Sequence, residues 1–296
     1  MRVFVTGASG FIGSAVVKEL HSNSHTTLGL ARSPTSAKTI RDLGGEVHDG
    51  SIDDIESLKT GAAQCDGVIH LAFKGGFADF AGSCAADRAA IGAFGVALAG
   101  TGKPLLVTSG TMMLKEGSVG TEDDGPATEG LGAIRGASET VTKAVAKKGV
   151  RAMVVRLPPT VHGERDKGFV PMFIRAAREK GVVAHLGDGS NRWTAIHRLD
   201  AARLYRLALE KGTAGAVYHA AAEEAVQVKD IVGVIGRKLN VSVESKSREE
   251  MAALFGFIGN AFSVDNPASS SETRKELDWK PEQPGLIADV EKVYFN

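Results

Sequence analysis

An α/β fold built on a doubly wound parallel sheet is what this sequence predicts, and three observations predict it. Apolar runs of strand length alternate with longer segments of helical period as far as Arg156. The runs are near-continuous in Val, Ile, Leu and Phe rather than alternating, as expected of strands covered on both faces by helices. A glycine-spaced turn joins the first run to the first helical segment.

In chain order the strands are expected at Arg2–Thr6, Thr26–Ala31, Glu46–His48, Gly67–Ala72, Pro104–Ser109 and Arg151–Arg156. Helices are expected between them at Phe11–Ser22, Thr35–Leu43, Asp53–Ala62, Ala81–Ala99 and Thr128–Lys148. Each crossover is long enough for a right-handed βαβ connection. Leu157-Pro158-Pro159 then breaks the rhythm, and Gly163–Gly168 reads as a charged loop. Helices at Pro171–Lys180, Asp200–Lys211 and Lys229–Leu239, with a strand near Ala216–Ala220, form a smaller C-terminal α/β lobe. Ser269-Ser270-Ser271 reads as the N-cap of a short late helix. The division is residues 1–160 for a dinucleotide-binding domain and 161–296 for a substrate lobe interleaved with it.

Composition narrows the function. The chain has 296 residues, 35 Lys plus Arg against 35 Asp plus Glu, and 43% hydrophobic residues. That length buries a sizeable core, and a net charge of zero without basic blocks argues against nucleic acid or an anionic membrane as partner. Val68–Phe73 and similar apolar stretches are too short to span a bilayer, and the start turns polar too early for a secretory signal. With only Cys65 and Cys84, a disulfide framework and a multi-cysteine zinc site are both excluded, and no metal is expected. The expectation is a cytoplasmic protein acting on a small molecule.

Strand Arg2–Thr6 runs into Gly7-Ala8-Ser9-Gly10-Phe11-Ile12-Gly13 and then a helix. Gly7 permits the tight turn, Gly10 lets backbone approach a phosphate, and Gly13 lets the helix pack on the strand. A pyrophosphate would sit on free N–H groups at the helix start. The second strand ends Ala31-Arg32-Ser33, with no acid before Asp42. An acid there would bind a ribose diol, whereas an Arg accommodates a 2′-phosphate, so NADP(H) is preferred over NAD(H). A solvated Arg at a strand end is the alternative.

Thr6–Gly13 resembles the cofactor loop of extended short-chain dehydrogenases, the NAD-dependent epimerase/dehydratase family, whose sheet is of the Rossmann type. The resemblance continues through Asp66–Ala72, Leu106–Thr111, Arg156–Gly163 and Arg192–Ala202, and covers Met1 to about Leu239. It implies that Leu71, Ala72, Thr108 and Pro158 join the glycine turn around the cofactor. It places Ser109 and Thr111 as active-site hydroxyls, and Arg192 and Trp193 at a substrate pocket. It also implies a homodimer through the helices at Ala81–Ala99 and Thr128–Lys148.

One departure outweighs these matches. The family's catalytic pair is a Tyr and a Lys four residues on, but here Arg135 and Glu139 stand at those positions. The three tyrosines, Tyr205, Tyr218 and Tyr294, all lie beyond Asp200. A guanidinium is a poor proton donor, but it can stabilise charge developing on a carbonyl oxygen or clamp a carboxylate. Glu139 could pair with Arg135 at i,i+4 and orient it; an ordinary surface pair is the bland alternative. Lys143, His162, His197 and Asp200 are further candidate proton carriers, with His162 and His197 also candidate substrate contacts and Asp200 also a candidate N-cap. Three readings remain: an NADP(H)-dependent oxidoreductase reducing a small carbonyl compound, a non-redox isomerase, epimerase or dehydratase on the same scaffold, and a silent NADP(H)-binding sensor.

Overall fold

The computed structural model describes residues 1–74 and 79–295. Seven strands form the main sheet: β1 (Arg2–Thr6), β2 (Thr26–Ala31), β3 (Glu46–Asp49), β4 (Gly67–His70), β5 (Pro104–Gly110), β6 (Arg151–Leu157) and β10 (Val217–His219). Their order is β10-β6-β5-β4-β1-β2-β3, and every pairing is parallel. The chain winds outward from β1 to β3, then crosses back to β4 beside β1 and winds the other way. That reversal makes a crevice at the carboxyl ends of β1 and β4, where open α/β sheets bind ligands.

The pleat divides the apolar side chains between two cores. Val3 and Val5 of β1 and Leu106 of β5 face one side, under α1 (Phe11–Ser22) and α7 (Arg198–Lys211). Phe4, Leu105 and Val107 face the other, under α3 (Ile55–Ala63), α4 (Phe80–Ala97) and α5 (Gly130–Ala146). Phe4 and Phe94 are fully buried with rings 6.3 Å apart, and burial of each such side chain contributes about 1.5–3 kcal/mol. Helix α2 (Pro34–Asp42) starts at a capping box, in which the Ser33 hydroxyl accepts the Ser36 N–H, and covers β2 with Ala37 and Ile40.

A second body follows the double proline. It holds β7 (Thr160–His162), α6 (Phe169–Lys180), β8 (Val182–Leu186), β9 (Arg192–His197), β11 (Glu223–Gln227), α8 (Val228–Leu239), β12 (Ser242–Lys246) and α9 (Arg248–Phe255). It continues with α10 (Phe257–Phe262) and α12 (Leu286–Val293), while α11 (Ser271–Leu277) between them packs back on the first body, with Leu277 in its core. Strands β11, β9 and β7 form a mixed sheet, and β12 pairs with β8. Between the two bodies the chain returns to the first, as α7 packs on α1 and β10 extends the main sheet. The late serines differ from expectation. Ser270 holds the N-cap position of α11, but its hydroxyl donates 2.6 Å to the Ala221 carbonyl, and the first N–H groups of the helix go instead to Ser269 Oγ and the Glu122 carboxylate. No helix among the described residues is long and apolar enough to cross a membrane.

Candidate functional site

The crevice between β1 and β4 holds a cleft of about 380 Å³. Its floor comes from Gly7, Ser9, Gly10, Phe11, Ile12 and Gly13, with Leu71, Ala72, Thr108 and Leu157 from the neighbouring strand ends. Gly7 has φ +72°, and a Cβ there would lie 2.9 Å from the Ala72 nitrogen. A Cβ on Gly13 would lie 2.0 Å from the Gly7 carbonyl oxygen, so only glycine lets α1 start this close to β1. Gly10 is the N-cap of α1 and no side chain caps the helix, which leaves its first N–H groups for an anion. These features fit a dinucleotide's pyrophosphate.

At the far end Arg32 lines both this cleft and a second, polar cleft of about 570 Å³ beside it. Ser33, Arg41, Asp49 and Asp54 line the second cleft too. Arg32 and Arg41 have no side-chain partner among the described residues, so two guanidiniums stand there against two carboxylates. Arg41 lies on α2, a helix whose exposed face carries no motif, so only the fold brings it beside Arg32.

The other end of the cleft is formed by Thr108, Leu157 and Phe73. Arg135 reaches it from α5. Its guanidinium lies 4.9 Å from the Phe73 ring centroid, donates to the Thr108 carbonyl oxygen, and is ion-paired to Asp87 of α4. Ser138 accepts from Arg135 at 3.0 Å and donates to Asp87 at 2.6 Å. Burial works to raise the Asp87 pKa, but His70 and Arg135 beside it outweigh burial and hold it at about 2. Thr108 gives its hydroxyl proton to the His70 carbonyl, so the buried Tyr205 donates to the Thr108 oxygen at 2.8 Å. Burial pushes the Tyr205 phenol up, well above the ordinary range.

The model of the NAD dependent epimerase/dehydratase family matches residues 3–222. This chain belongs to that family. It is 47% identical, over the full length of both chains, to the uncharacterized protein C2A9.02 of Schizosaccharomyces pombe. It is 28% identical to a sterol-4-alpha-carboxylate 3-dehydrogenase, decarboxylating, of Dictyostelium discoideum, over 77% of this chain and 73% of that one. In fold it is similar to DesIV, a dTDP-glucose 4,6-dehydratase from Streptomyces venezuelae with NAD and TYD bound, at a TM-score of 0.79 and 19% identity. That match covers 99% of this chain and 96% of the other.

Several residues of the family motifs stand elsewhere than expected. Glu139 does not pair with Arg135. It faces β6 and takes two N–H bonds from Arg156, at 2.9 and 2.7 Å, plus the Ser109 hydroxyl at 2.7 Å. Burial opposes ionisation of Glu139, yet Arg156 holds its pKa below the usual carboxylate value. Ser109 is thus committed to a buried acceptor. Thr111 is fully buried, bonded to Asn266 and Thr194, so it offers no hydroxyl to a ligand in this arrangement. Trp193 is no pocket wall. It is fully buried in the second body's core, with its ring 4.3 Å from Phe262, because a six-residue strand turns it inward. Arg192 spends its guanidinium on Asp265, at 3.0 and 2.7 Å.

His162 is buried and bonded to Asp289 at 2.8 Å, with the His197 ring 5.4 Å away. His197 caps α7 by accepting the Leu199 N–H, and burial lowers its pKa. Asp200 is not that cap; its carboxylate accepts the N–H groups of Glu282 and Gln283. Lys143 lies on the exposed face of α5, and Pro158 is buried beside Leu157. Ser33 lines only the second cleft. Asp87 and Tyr205 were missed because nothing local marks them: each is a buried polar group on an otherwise apolar helix face, and packing alone brings Asp87 to Arg135 and Tyr205 to Thr108, behind the cleft lining. Among the described residues no group of three or more His, Cys, Asp or Glu is placed to hold a metal.

Proposed function

We propose that this protein is an NADP(H)-dependent oxidoreductase that reduces the carbonyl group of a small organic substrate. The observation that carries the reading is the phosphate cradle, open at one end to Arg32 and Arg41 and lined at the other by Phe73 and Thr108, both of which Arg135 touches from behind the lining. The uncapped start of α1 would hold the pyrophosphate. Arg32, with Arg41 beside it, would hold a 2′-phosphate through charge-assisted hydrogen bonds. When bound, the dinucleotide supplies a hydride for a carbonyl carbon.

The chain's own part is to place that carbonyl and stabilise its oxygen. Arg135 does so as a hydrogen-bond donor: its Nε–H has no acceptor among the described residues, and its charge sits in a buried, low-dielectric rim. Phe73 stacks over the guanidinium, with its ring centroid 4.9 Å away. The alkoxide formed takes its proton from water at the open cleft, since a guanidinium does not give one up.

A non-catalytic dinucleotide-binding protein is the second reading. It is favoured by the described lining, in which no tyrosine or histidine appears and the one lysine, Lys74, is ion-paired to Asp53 at 2.7 Å. The two are separated by mixing the protein and NADPH with a panel of aldehydes and ketones. The reductase reading expects loss of NADPH absorbance and a product heavier by two hydrogens. NADPH bound without turnover on any member of a broad panel would favour the second reading.

A further inference from the structure

Asp87 lies outside the cleft lining and outside every sequence motif, on a helix whose buried face is otherwise made of Ala, Gly, Ile, Phe, Ser and Cys. We propose that Asp87 is the positioning residue that locks the Arg135 guanidinium to the floor of the dinucleotide cleft. The inference rests on the role proposed above for Arg135.

The carboxylate is 1% exposed and both its oxygens are engaged. Oδ2 accepts from Arg135 and from the Ser138 hydroxyl. Oδ1 faces His70 Nε2 at 3.3 Å, in contact but without the alignment of a hydrogen bond. His70 Nδ1 lies 2.7 Å from the Thr6 hydroxyl, and the Thr6 oxygen also accepts the Ala72 N–H at 3.1 Å. With the Thr6 proton given to Nδ1, the ring hydrogen sits on Nε2, toward Asp87. A continuous line therefore runs from Arg135 on α5, through Asp87 on α4, to the ends of β4 and β1. It ends at Ala72, which packs against the Gly7 turn in the cleft floor.

Two consequences follow from placing a carboxylate there. It neutralises a guanidinium that burial would otherwise make costly. It also occupies NH1 together with Ser138, while Thr108 takes one hydrogen of NH2, so a side chain with many rotamers is held in one, with the Nε–H and the second NH2 hydrogen left over.

The test compares Asp87→Asn, Arg135→Ala and the double variant, each in the full chain, on a carbonyl substrate found in the panel. Asp87→Asn is expected to lower kcat by about tenfold or more while NADPH affinity stays within about twofold. Free guanidinium at a non-denaturing concentration is expected to restore part of the turnover of Arg135→Ala, and none in the double variant. Equal rescue of both, or an unchanged kcat in Asp87→Asn, overturns the proposal. Wild-type turnover by Arg135→Ala would instead sink the role of Arg135 itself, a separate pattern. Should Asp87→Asn fail to fold, Ser138→Ala removes the other donor to Oδ2; a kcat loss of about threefold is expected, and no loss counts against Asp87.

Discussion

Arg135 and Glu139 stand one turn apart on α5, each in a buried ion pair, and the two pairs face different parts of the molecule. Arg135 reaches toward α4 and the cleft, where it meets Phe73 and the Thr108 carbonyl. Glu139 reaches toward β6, where Arg156 spends its remaining donors on the Asp124 carbonyl and on His219. None of Arg135, Asp87, Glu139, Arg156 and Ser109 lines the cleft itself. The first pair meets it through Phe73 and Thr108, which do line it, and the second fastens α5 to β5 and β6. Two charged residues one turn apart on α5 thus have separate partners, and a helical spacing of four does not make a pair.

The largest effect that would break this contrast is on stability. Glu139→Ala leaves Arg156 buried without its carboxylate and is expected to cost about 3–5 kcal/mol, read from denaturant midpoints. A loss under about 1 kcal/mol would remove Glu139 from the fold-holding side of the comparison. Arg32→Ala probes the opposite end of the cleft. It is expected to weaken NADPH binding by about tenfold to a hundredfold and NADH binding by less than about twofold. Equal losses would end the 2′-phosphate reading.

The smallest effect is in pH. Burial, with Arg156 next, lowers the His219 pKa from its ordinary 6.5. Its ring donates from Nδ1 to the Ser269 carbonyl at 2.7 Å, so Nε2 accepts from Arg156 and the neutral form is the one that fits. Below that ordinary value the unfolded chain takes up a proton that the folded ring refuses. This contribution to stability is complete above pH 6.5 and declines as pH falls. The melting temperature is expected to drop between about pH 7 and pH 5, and to drop less in His219→Gln. An identical drop in both proteins would show that His219 does not titrate this way.

The parallel sheet and the cradle were legible because they rest on short-range rules. Continuous apolar runs must be covered on both faces, and Gly7 and Gly13 occupy positions where a Cβ has no room. Trp193 and Arg192 were legible only as motif letters; their directions depend on a strand and on a partner, Asp265, 73 residues away. The strands β7, β8, β9, β11 and β12 escaped because they are short, most of them mix polar with apolar residues, and they pair across long separations. Asp87 was invisible for the same reason, since its three partners come from two other elements and from its own burial, not from spacing.

The central claim is that Arg135 acts at the reacting end of a dinucleotide cleft. Its most direct test is a single-turnover measurement of wild type and Arg135→Ala at saturating NADPH with one active carbonyl substrate. The account predicts a rate lower by about tenfold to a thousandfold in the variant, with NADPH affinity nearly unchanged. Equal rates in the two proteins would contradict it.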